Sequence, residues 1–360
     1  MNQTPARARL VAMARHSLAH TKAGTLPLEA GVCRVPVAHY VDAGRFELER
    51  ARIWRRLPLV LALSVELPGG GDGVVRAFVN TCGHRGALVG ILAPEDFGEI
   101  DRSCHGLTAL PCTERAGLVW VTLDPASRLD LDAFLCGYDA LLEEFGFARW
   151  HLVGRRELPG PNWKLAYDGY LDLYHLPILH KNTFGADFPN RPLYHAFGPH
   201  QRVDAPNPSL LELEERPDAD WGLRELLAGV WTIFPHVSIA TFDAGGRGVL
   251  VSQLFPGDGP RESLTLQTYL MEDEPGDAQR AAAEKVFDLL GYVVREEDYA
   301  TGFASSARSR AARSDTCCSA ATRAAASAST AGSSICSHST TPRSLAHLRE
   351  TSNEPAYADL

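Results

Sequence analysis

The sequence has no uninterrupted apolar run of the length that a membrane-spanning helix needs. Its longest apolar stretch, around Leu57–Leu63, is broken by Pro58 and preceded by two arginines. An excess of positive charge is also missing: the formal net charge is -9, which argues against a nucleic-acid-binding protein. The N-terminus lacks the continuous apolar core of a secretory signal. We therefore expect a cytoplasmic protein that binds neither membranes nor nucleic acids.

A regular cysteine framework is absent as well. The eight cysteines show no disulfide-type spacing, and disulfides are not expected in a reducing compartment. Three of them fall in one C-terminal stretch, and only Cys82 has a suggestive sequence context. With 360 residues, 45% of them hydrophobic, the chain is long enough for two domains with substantial cores.

The residue patterns predict a mixture of helices and antiparallel strands. Short apolar runs bounded by Gly, Pro and Asp make residues 57–125 rich in predicted strands. Because strands and a few long helices occur without a βαβ rhythm, the predicted fold class is α+β. The predicted helices are 42–56, 130–147 and Asp277–Leu290, and strand-like runs occupy 229–242, 248–256 and 262–271.

The C-terminal part has an unusual composition. Ala, Ser, Arg and Thr make up most of residues 304–340, and Ile335 is the only large aliphatic residue there. Such a segment cannot bury enough apolar surface to offset its ordering entropy, so we predict poor packing. A natural low-complexity tail is one interpretation, and a second follows below.

A possible metal-ligating segment lies in the middle of the chain. Asp172, His175 and His180 supply two imidazoles and a carboxylate, the set that holds Fe(II) on one face and leaves the other open. The two histidines lie about 140° apart on a continuous helix, so they converge only if the helix ends between them. Pro177 is predicted to supply that break, and the spacing predicts that Asp172 and His175 share a helical face. The alternative is two unrelated histidines flanking a proline.

Three segments together resemble a known family. Residues 162–180 (NWKLAYDGYLDLYHLPILH) resemble the catalytic segment of Rieske non-haem iron oxygenase alpha subunits, the aromatic-ring-hydroxylating dioxygenase family. Residues 75–87 (VRAFVNTCGHRGA) are similar to the family's first cluster-binding hairpin, and residues 295–303 (REEDYATGF) to the helix that carries the third iron ligand. The order of the three segments also matches, and the likeness covers roughly residues 30–303.

The resemblance implies roles for particular residues. His175 and His180 would ligate a mononuclear Fe(II), with Asp298 as the carboxylate ligand and Glu297 as the neighbouring alternative. A solvated acidic helix start is the other interpretation of these carboxylates. Asp172 matches the family's bridging carboxylate, which links the iron site to a cluster histidine of the next subunit, so a homotrimer is expected.

The ligands for the expected [2Fe-2S] Rieske cluster are incomplete. A Rieske centre needs two thiolates and two imidazoles, and Cys82 and His84 match the family's first pair. The only nearby candidates for the second pair are Cys104 and His105, whose adjacent side chains would point to opposite faces of a strand. The other interpretation is that Ala87 is joined directly to Leu88 and that the second hairpin is missing.

Two further irregularities fit internal deletions and a shifted reading frame. A strand pair of the family pattern is missing near Leu67–Gly70, and the pattern stops after Phe303. Residues 315–325 can be encoded so that a shifted frame reads H-V-L-F-G-R-N-E-G-G, which resembles the family's continuation. We therefore expect an N-terminal helical segment at 1–56, an incomplete, truncated all-β Rieske-like domain at 57–125, a helix-grip-like catalytic domain with an antiparallel sheet and long helices at 126–303, and an out-of-frame tail at 304–360.

The resemblance implies an oxygenase that hydroxylates an organic substrate, such as an aromatic compound, by mono- or dioxygenation. Its partners would be O2 and an NAD(P)H-dependent reductase or ferredoxin, although an incomplete cluster would leave this chain inactive. The alternative function is a non-catalytic helix-grip module that binds a small molecule. Candidate pocket residues are Trp231, Ile233, Phe234 and Val249, with ordinary core packing as the alternative. His195, His200 and His236 have no motif support and are treated as structural or surface residues.

Overall fold

The computed structural model describes residues 4–25, 34–67, 72–80, 107–185, 192–204, 209–243, 245–303 and 316–318. Within these ranges, no helix combines the length and the apolar character needed to cross a membrane. The strands are β1 (Arg34–Pro36), β2 (Leu59–Leu63), β3 (Ala77–Phe78), β4 (Ala109–Leu110), β5 (Cys112–Arg115), β6 (Leu118–Val121), β7 (His151–Gly160), β8 (Leu193–Phe197), β9 (His200–Asp204), β10 (Val230–Ile233), β11 (Val237–Asp243), β12 (Arg247–Pro256), β13 (Ser263–Met271) and β14 (Thr316–Cys318).

Helices precede the first sheet strands, lie between the strands of the two larger sheets and follow strand β13. A π-helical turn continues α3 over Arg50–Trp54, and a second one continues α10 over Val293–Tyr299. The α-helices are α1 (Pro5–Ala23), α2 (Ala38–Val41), α3 (Ala43–Glu49), α4 (Leu131–Leu135), α5 (Tyr138–Glu143), α6 (Trp163–Leu171), α7 (Leu176–Leu179), α8 (Ser209–Leu213), α9 (Leu223–Leu226) and α10 (Asp277–Tyr292).

A seven-stranded antiparallel sheet forms the centre of the molecule. Its strand order is β7-β13-β12-β11-β10-β9-β8, and every neighbouring pair is antiparallel. Helix α6 contacts β10, β12 and β13, while α10 packs against β7. The predicted α+β class, with an antiparallel sheet and long helices in the catalytic part, is therefore confirmed.

A smaller β region lies between residues 57 and 125. Strands β2, β6 and β5 form a three-stranded sheet, and β3 pairs with β4. Two buried side chains, one from the turn between β10 and β11 and one from β12, form hydrogen bonds with β2 of this smaller region. The Val60 amide donates to His236 Nε2 at 3.0 Å, and the Gln253 amide donates to the Val60 carbonyl at 2.7 Å. Burial lowers the pKa of His236 to about 3, so its ring stays neutral and accepts this hydrogen bond.

The predicted single helix at 130–147 is wrong in one respect. The chain forms two short helices there, α4 and α5, because Cys136 and Gly137 both adopt the left-handed conformation, with φ of 53° and 77°. Glycine tolerates this conformation without a steric cost, and a single left-handed residue is enough to end a helix. Acidic and apolar periodicity alone did not reveal this break.

A buried ionic cluster joins the N-terminal helices to α6. Lys164 Nζ lies 2.6 Å from both carboxylate oxygens of Glu49, which is 1% exposed. Arg45 Nε and the Trp163 indole N–H also donate to Glu49, at 2.9 and 3.2 Å. Buried charges need partners of this kind, because desolvation of an unpaired carboxylate is costly.

The substitution Lys164→Met is expected to lower the free energy of unfolding by about 3 kcal/mol, because it leaves the Glu49 carboxylate buried with less compensation. The double variant Lys164→Met/Glu49→Gln should recover part of this loss. Urea unfolding followed by tryptophan fluorescence measures both values. Equal stability of the wild type and Lys164→Met would contradict the structural role of the pair.

Candidate functional site

Helix α6 and the turn after it present the central polar residues. The side chain of Asn162 begins α6 by accepting the amide N–H of Lys164 at 2.9 Å and that of Leu165 at 3.3 Å. The helix ends at Leu171, and Asp172 is its C-terminal cap. Asp172 then accepts the amide N–H of Tyr174 at 2.8 Å and so begins the turn that leads to α7.

The predicted cause of the helix break is therefore wrong. Pro177 does not interrupt α6, which has already ended at Leu171; it occupies the first turn of the separate helix α7. Proline is tolerated there because the first helical N–H groups have no intrahelical partner. Asp172 and His175 consequently do not share a helical face, whereas His175 and His180 cap the two ends of α7.

Three side chains converge at this turn. The Nε2 atoms of His175 and His180 are 3.1 Å apart. Oδ1 of Asp298 lies 3.3 Å from the first and 3.0 Å from the second. Among the described residues, this is the group of at least three His, Cys, Asp or Glu side chains with the spacing of a metal site. Residues 162–180 and 295–303, which the family resemblance brought together, thus meet in space.

The structure also separates the roles of the two neighbouring carboxylates. Glu297 approaches the opposite nitrogen of His180, with Oε2 at 2.5 Å from Nδ1, and it accepts the Thr183 hydroxyl at 2.7 Å. A carboxylate at Nδ1 selects the tautomer whose lone pair is on Nε2. Asp298, rather than the alternative Glu297, faces the side that both histidines share.

The electrostatics of the group favour charged imidazoles when only protons are present. Burial lowers the pKa of His175, but hydrogen bonds and charge from Asp172 and Asp298 outweigh it and raise the pKa to about 9. Burial likewise opposes charging of His180, and Asp298 and Glu297 still raise its pKa. Burial disfavours the Asp298 carboxylate, yet the two histidines lower its pKa. A divalent cation would replace these protons as the source of positive charge.

Asp172 lies beside the group but outside it. Its Oδ2 is 3.7 Å from Nδ1 of His175, and its side chain is 40% exposed. The predicted role of Asp172 as a bridge to another subunit remains a prediction. Ile178 and Tyr174 on the same turn are also exposed.

A cavity of about 840 Å³ opens next to the three converging side chains. His175, His180 and Asp298 line one part of it, and apolar side chains from α10 and from the central sheet line much of the rest. The main apolar lining residues are Leu173, Leu176, Val230, Ala240, Phe242, Leu250, Leu290, Val293 and Val294.

The predicted pocket residues Trp231, Ile233, Phe234 and Val249 are wrong, because none of them lines the cavity; all four are buried in the hydrophobic core. The cavity is lined instead by neighbours such as Val230 and Leu250. Successive side chains of a strand point to opposite faces. Since the residues on both faces of these strands are apolar, the sequence did not indicate which set faces the cavity.

Some lining residues were missed although the sequence carried a signal for them. Leu290, Val293 and Val294 precede Asp298 at the spacing of one helical face, which could have identified them. The ion pair between Arg202 and Asp204, 2.7 Å apart, also lines the cavity and had no local motif. His195, His200 and His236 lie in the interior and take no part in the converging group.

The predicted cluster ligands Cys82, His84, Cys104 and His105 lie outside the described residues. The predicted missing hairpin between Ala87 and Leu88 also falls there. The expectations about the [2Fe-2S] cluster therefore remain predictions from the sequence.

Solved structures of Rieske oxygenases share this fold. Naphthalene 1,2-dioxygenase with indole bound in its active site has a TM-score of 0.69 and 16% identity, over 88% of this chain and 95% of that one. The quaternary ammonium Rieske monooxygenase CntA, in a structure concerned with carnitine oxidation and inter-subunit electron transfer, has a TM-score of 0.64 and 17% identity. That match covers 79% of this chain and 88% of that one. At these identities the likeness concerns the fold alone.

The family comparison covers the part of the chain that holds the site. No curated protein sequence matches the chain significantly. Residues 147–319 match the family model described as ring hydroxylating alpha subunit (catalytic domain). The match ends beyond Phe303, the residue at which the family pattern was expected to stop. Residues 147–319, which include all three converging side chains, therefore belong to the ring-hydroxylating alpha-subunit family.

Proposed function

We propose that this chain is a Rieske-type oxygenase alpha subunit that hydroxylates an organic substrate with O2. The observation that carries the proposal is the convergence of His175, His180 and Asp298 at the wall of a largely apolar cavity. Two imidazoles and one carboxylate on one side of an ion are typical of non-haem Fe(II) oxygenases. The family membership of residues 147–319 supports the same class of activity.

The three side chains fit a mononuclear ferrous ion. Their nearest atoms are 3.0 to 3.3 Å apart. Adjacent ligands at right angles, with bonds of about 2.1 Å, would be separated by about 3 Å. When bound there, Fe(II) would supply the activation of O2 that no protein side chain provides.

The surrounding residues would prepare the ligands for the ion. Glu297 holds the proton of His180 on Nδ1 and so directs the lone pair of Nε2 toward the shared side. The Thr183 hydroxyl in turn orients Glu297. Asp172 stands on the Nδ1 side of His175, where it favours the same orientation for that ring.

The cavity supports a small substrate with a substantial apolar part. Its lining beside Asp298 is aliphatic, from Leu290, Val293 and Val294. Burial of apolar substrate surface against these side chains would supply binding energy, and the cavity wall would determine which substrate carbon faces the ligands.

Electron supply is the step for which the sequence offers an incomplete set of ligands. We infer an NAD(P)H-dependent reductase or ferredoxin as the donor, a homotrimer as the assembly, and a cytoplasmic location. Cys82 and His84 would hold part of a [2Fe-2S] cluster, but the second ligand pair is missing unless Cys104 and His105 serve in its place. A chain without that cluster would bind Fe(II) and substrate but would not turn over.

The second candidate function is a non-catalytic module that binds a small molecule. The observation favouring it is the combination of an intact cavity with an incomplete set of cluster ligands. Iron analysis and visible absorption distinguish the candidates. The oxygenase predicts the two irons of a Rieske cluster and the mononuclear iron, whereas the module predicts a folded, colourless, iron-free protein.

The metal-site assignment predicts unequal effects of three substitutions. His180→Ala and Asp298→Ala should abolish stoichiometric binding of Fe(II), because each removes one of the three ligands. Glu297→Gln should bind Fe(II) roughly 10- to 100-fold more weakly, because it only orients His180. Anaerobic titration of the chelator-treated protein measures the affinities, and circular dichroism controls for folding. Unchanged Fe(II) affinity in Asp298→Ala would overturn the assignment.

The affinity for a divalent cation is expected to rise with pH. His175 has a pKa of about 9 without metal, so below that pH its bound proton competes with the cation. Between pH 6.5 and 8.5, the dissociation constant for Co(II), used as an air-stable probe, should fall at least about tenfold per pH unit. Calorimetry in buffers of different ionisation enthalpy would detect the released protons. A pH-independent dissociation constant would contradict this competition.

A further inference from the structure

A row of buried polar side chains crosses the large sheet beneath α6. Directly opposed residues in antiparallel strands place their side chains on the same face of the sheet. The five innermost members of the row are at most 3% exposed. In order from β9 to β7, the cross-strand neighbours that form this polar row are Gln201, Thr232, Ser238, Ser252, Gln267 and Arg156.

The polar row runs beside the wall of the cavity. Two residues further along each strand, on the same face, the corresponding positions are mainly apolar. Three of them, Val230, Ala240 and Leu250, line the cavity. On the face of the sheet that borders the cavity, the side chains thus change from apolar to polar over two residues along each strand.

Several atoms of the polar row have no hydrogen-bond partner among the described residues. They are the hydroxyl oxygens of Ser238 and Ser252, both amide atoms of Gln267, and Nε of Arg156. A buried polar group without a partner costs about 1–3 kcal/mol. Native proteins commonly satisfy such groups with ordered water. Consecutive unpartnered groups along one row are therefore suited to bind a file of water molecules.

The two ends of this path differ in their surroundings. At the inner end, Tyr170 of α6 lines the cavity near Ser252 and Gln267, and its buried hydroxyl also has no hydrogen-bond partner among the described residues. At the outer end, Arg156 lies on the edge strand β7, with Nη2 3.5 Å from the carboxylate of Asp288, which is 83% exposed. The polar row therefore connects the wall of the cavity with the protein surface.

We propose that the polar row, with water molecules bound to its unpartnered atoms, carries protons from the surface at Arg156 to the cavity wall at Tyr170. The proton-carrying role rests on the proposed oxygenase function. Hydroxylation follows RH + O2 + 2 e⁻ + 2 H⁺ → ROH + H2O, with the electrons supplied by the reductase. An apolar substrate in the cavity would displace water from the direct route, so the protons need a second one.

The members of the polar row would have two different roles, proton transfer and water binding. Hydroxyl groups and water molecules both donate and accept, so Ser252, Tyr170 and the bound water would pass the proton. The amide of Gln267 and the guanidinium of Arg156 would hold the water molecules in place. Thr232 already donates to the backbone carbonyl of Gln201 at 3.2 Å, so these two residues, which lie beyond Ser238 in the row, are off this path.

Side-chain hydrogen exchange tests the path in the full chain without iron or turnover. The amide protons of Gln267 should exchange with D2O at least about tenfold faster than those of Gln253. Both side chains are fully buried, but the amide of Gln253 donates to the Val60 carbonyl and lies outside the row. Nuclear magnetic resonance of ¹⁵N-labelled protein follows both signals. Equal protection of the two amides would overturn the proposal.

A pair of neighbouring substitutions tests where the path opens. Arg156→Met removes the polar outer end and should slow exchange of the Gln267 amide about tenfold. Arg155→Met is the matched control, because Arg155 pairs with Thr268, one residue along, and forms its ion pair outside the row, with the largely buried Glu66 at 3.1 Å. This control should leave Gln267 exchange unchanged. Equal effects of the two substitutions would overturn entry at Arg156.

The proton-carrying role is tested in iron-loaded protein that is reduced with dithionite, separated from excess reductant under argon, and then mixed with O2 and with naphthalene as the apolar probe. The O2 consumed after mixing is then consumed by the reduced protein. Arg156→Met should lower the rate of O2 consumption and raise its solvent deuterium isotope effect, whereas Arg155→Met should change neither. An unchanged isotope effect in Arg156→Met would overturn the role. Absence of naphthalene-stimulated O2 consumption in the wild type would instead count against the oxygenase function, while the exchange experiment still decides hydration.

Discussion

The convergence of one carboxylate on two imidazoles is the constraint around which this part of the molecule is organised. Asp298 Oδ1 reaches Nε2 of both His175 and His180, although more than a hundred residues separate them along the chain. Glu297 and Asp298 both lie in the π-helical turn at Val293–Tyr299. The two consecutive carboxylates approach opposite nitrogens of His180, so that one orients the ring and the other shares its free side. Such π-helical turns occur frequently at functional sites.

The short helix α7 supplies the other half of this constraint. A continuous helix would turn His175 and His180 away from each other. The chain instead ends α6 at Leu171, turns at Asp172 and begins α7 with Pro177 in its first turn. Both histidines then cap the same short helix and place their Nε2 atoms 3.1 Å apart. The buried pair Lys164–Glu49 attaches the start of α6 to the N-terminal helices and so holds this segment against the sheet.

The candidate site and its cavity are built from residues that lie outside the segment in which the cluster ligands are predicted. The lining comes from α1, the α6–α7 segment, the central sheet and α10, and none of the residues named for it falls between 57 and 125. The cavity and the three converging side chains therefore do not depend on residues of that segment. In the sheet beneath α6, Val230, Ala240 and Leu250 line the cavity, whereas the neighbouring polar row ends at Arg156 on the edge strand. Binding and proton supply would then use neighbouring positions of the same strands.

The sequence by itself indicated the α+β class, the long strands of residues 229–271, the candidate ligands His175 and His180, and a carboxylate at position 297 or 298. Hydrophobic runs, turn residues and metal-ligating side chains carry these signals locally, and the family resemblance joined the distant segments. Only the tertiary structure decided between Glu297 and Asp298, because adjacent residues of a helix point in different directions. It also decided that Val230 and Leu250, rather than Trp231 and Val249, line the cavity. Strands that are apolar on both faces conceal their orientation until a helix packs against one of them.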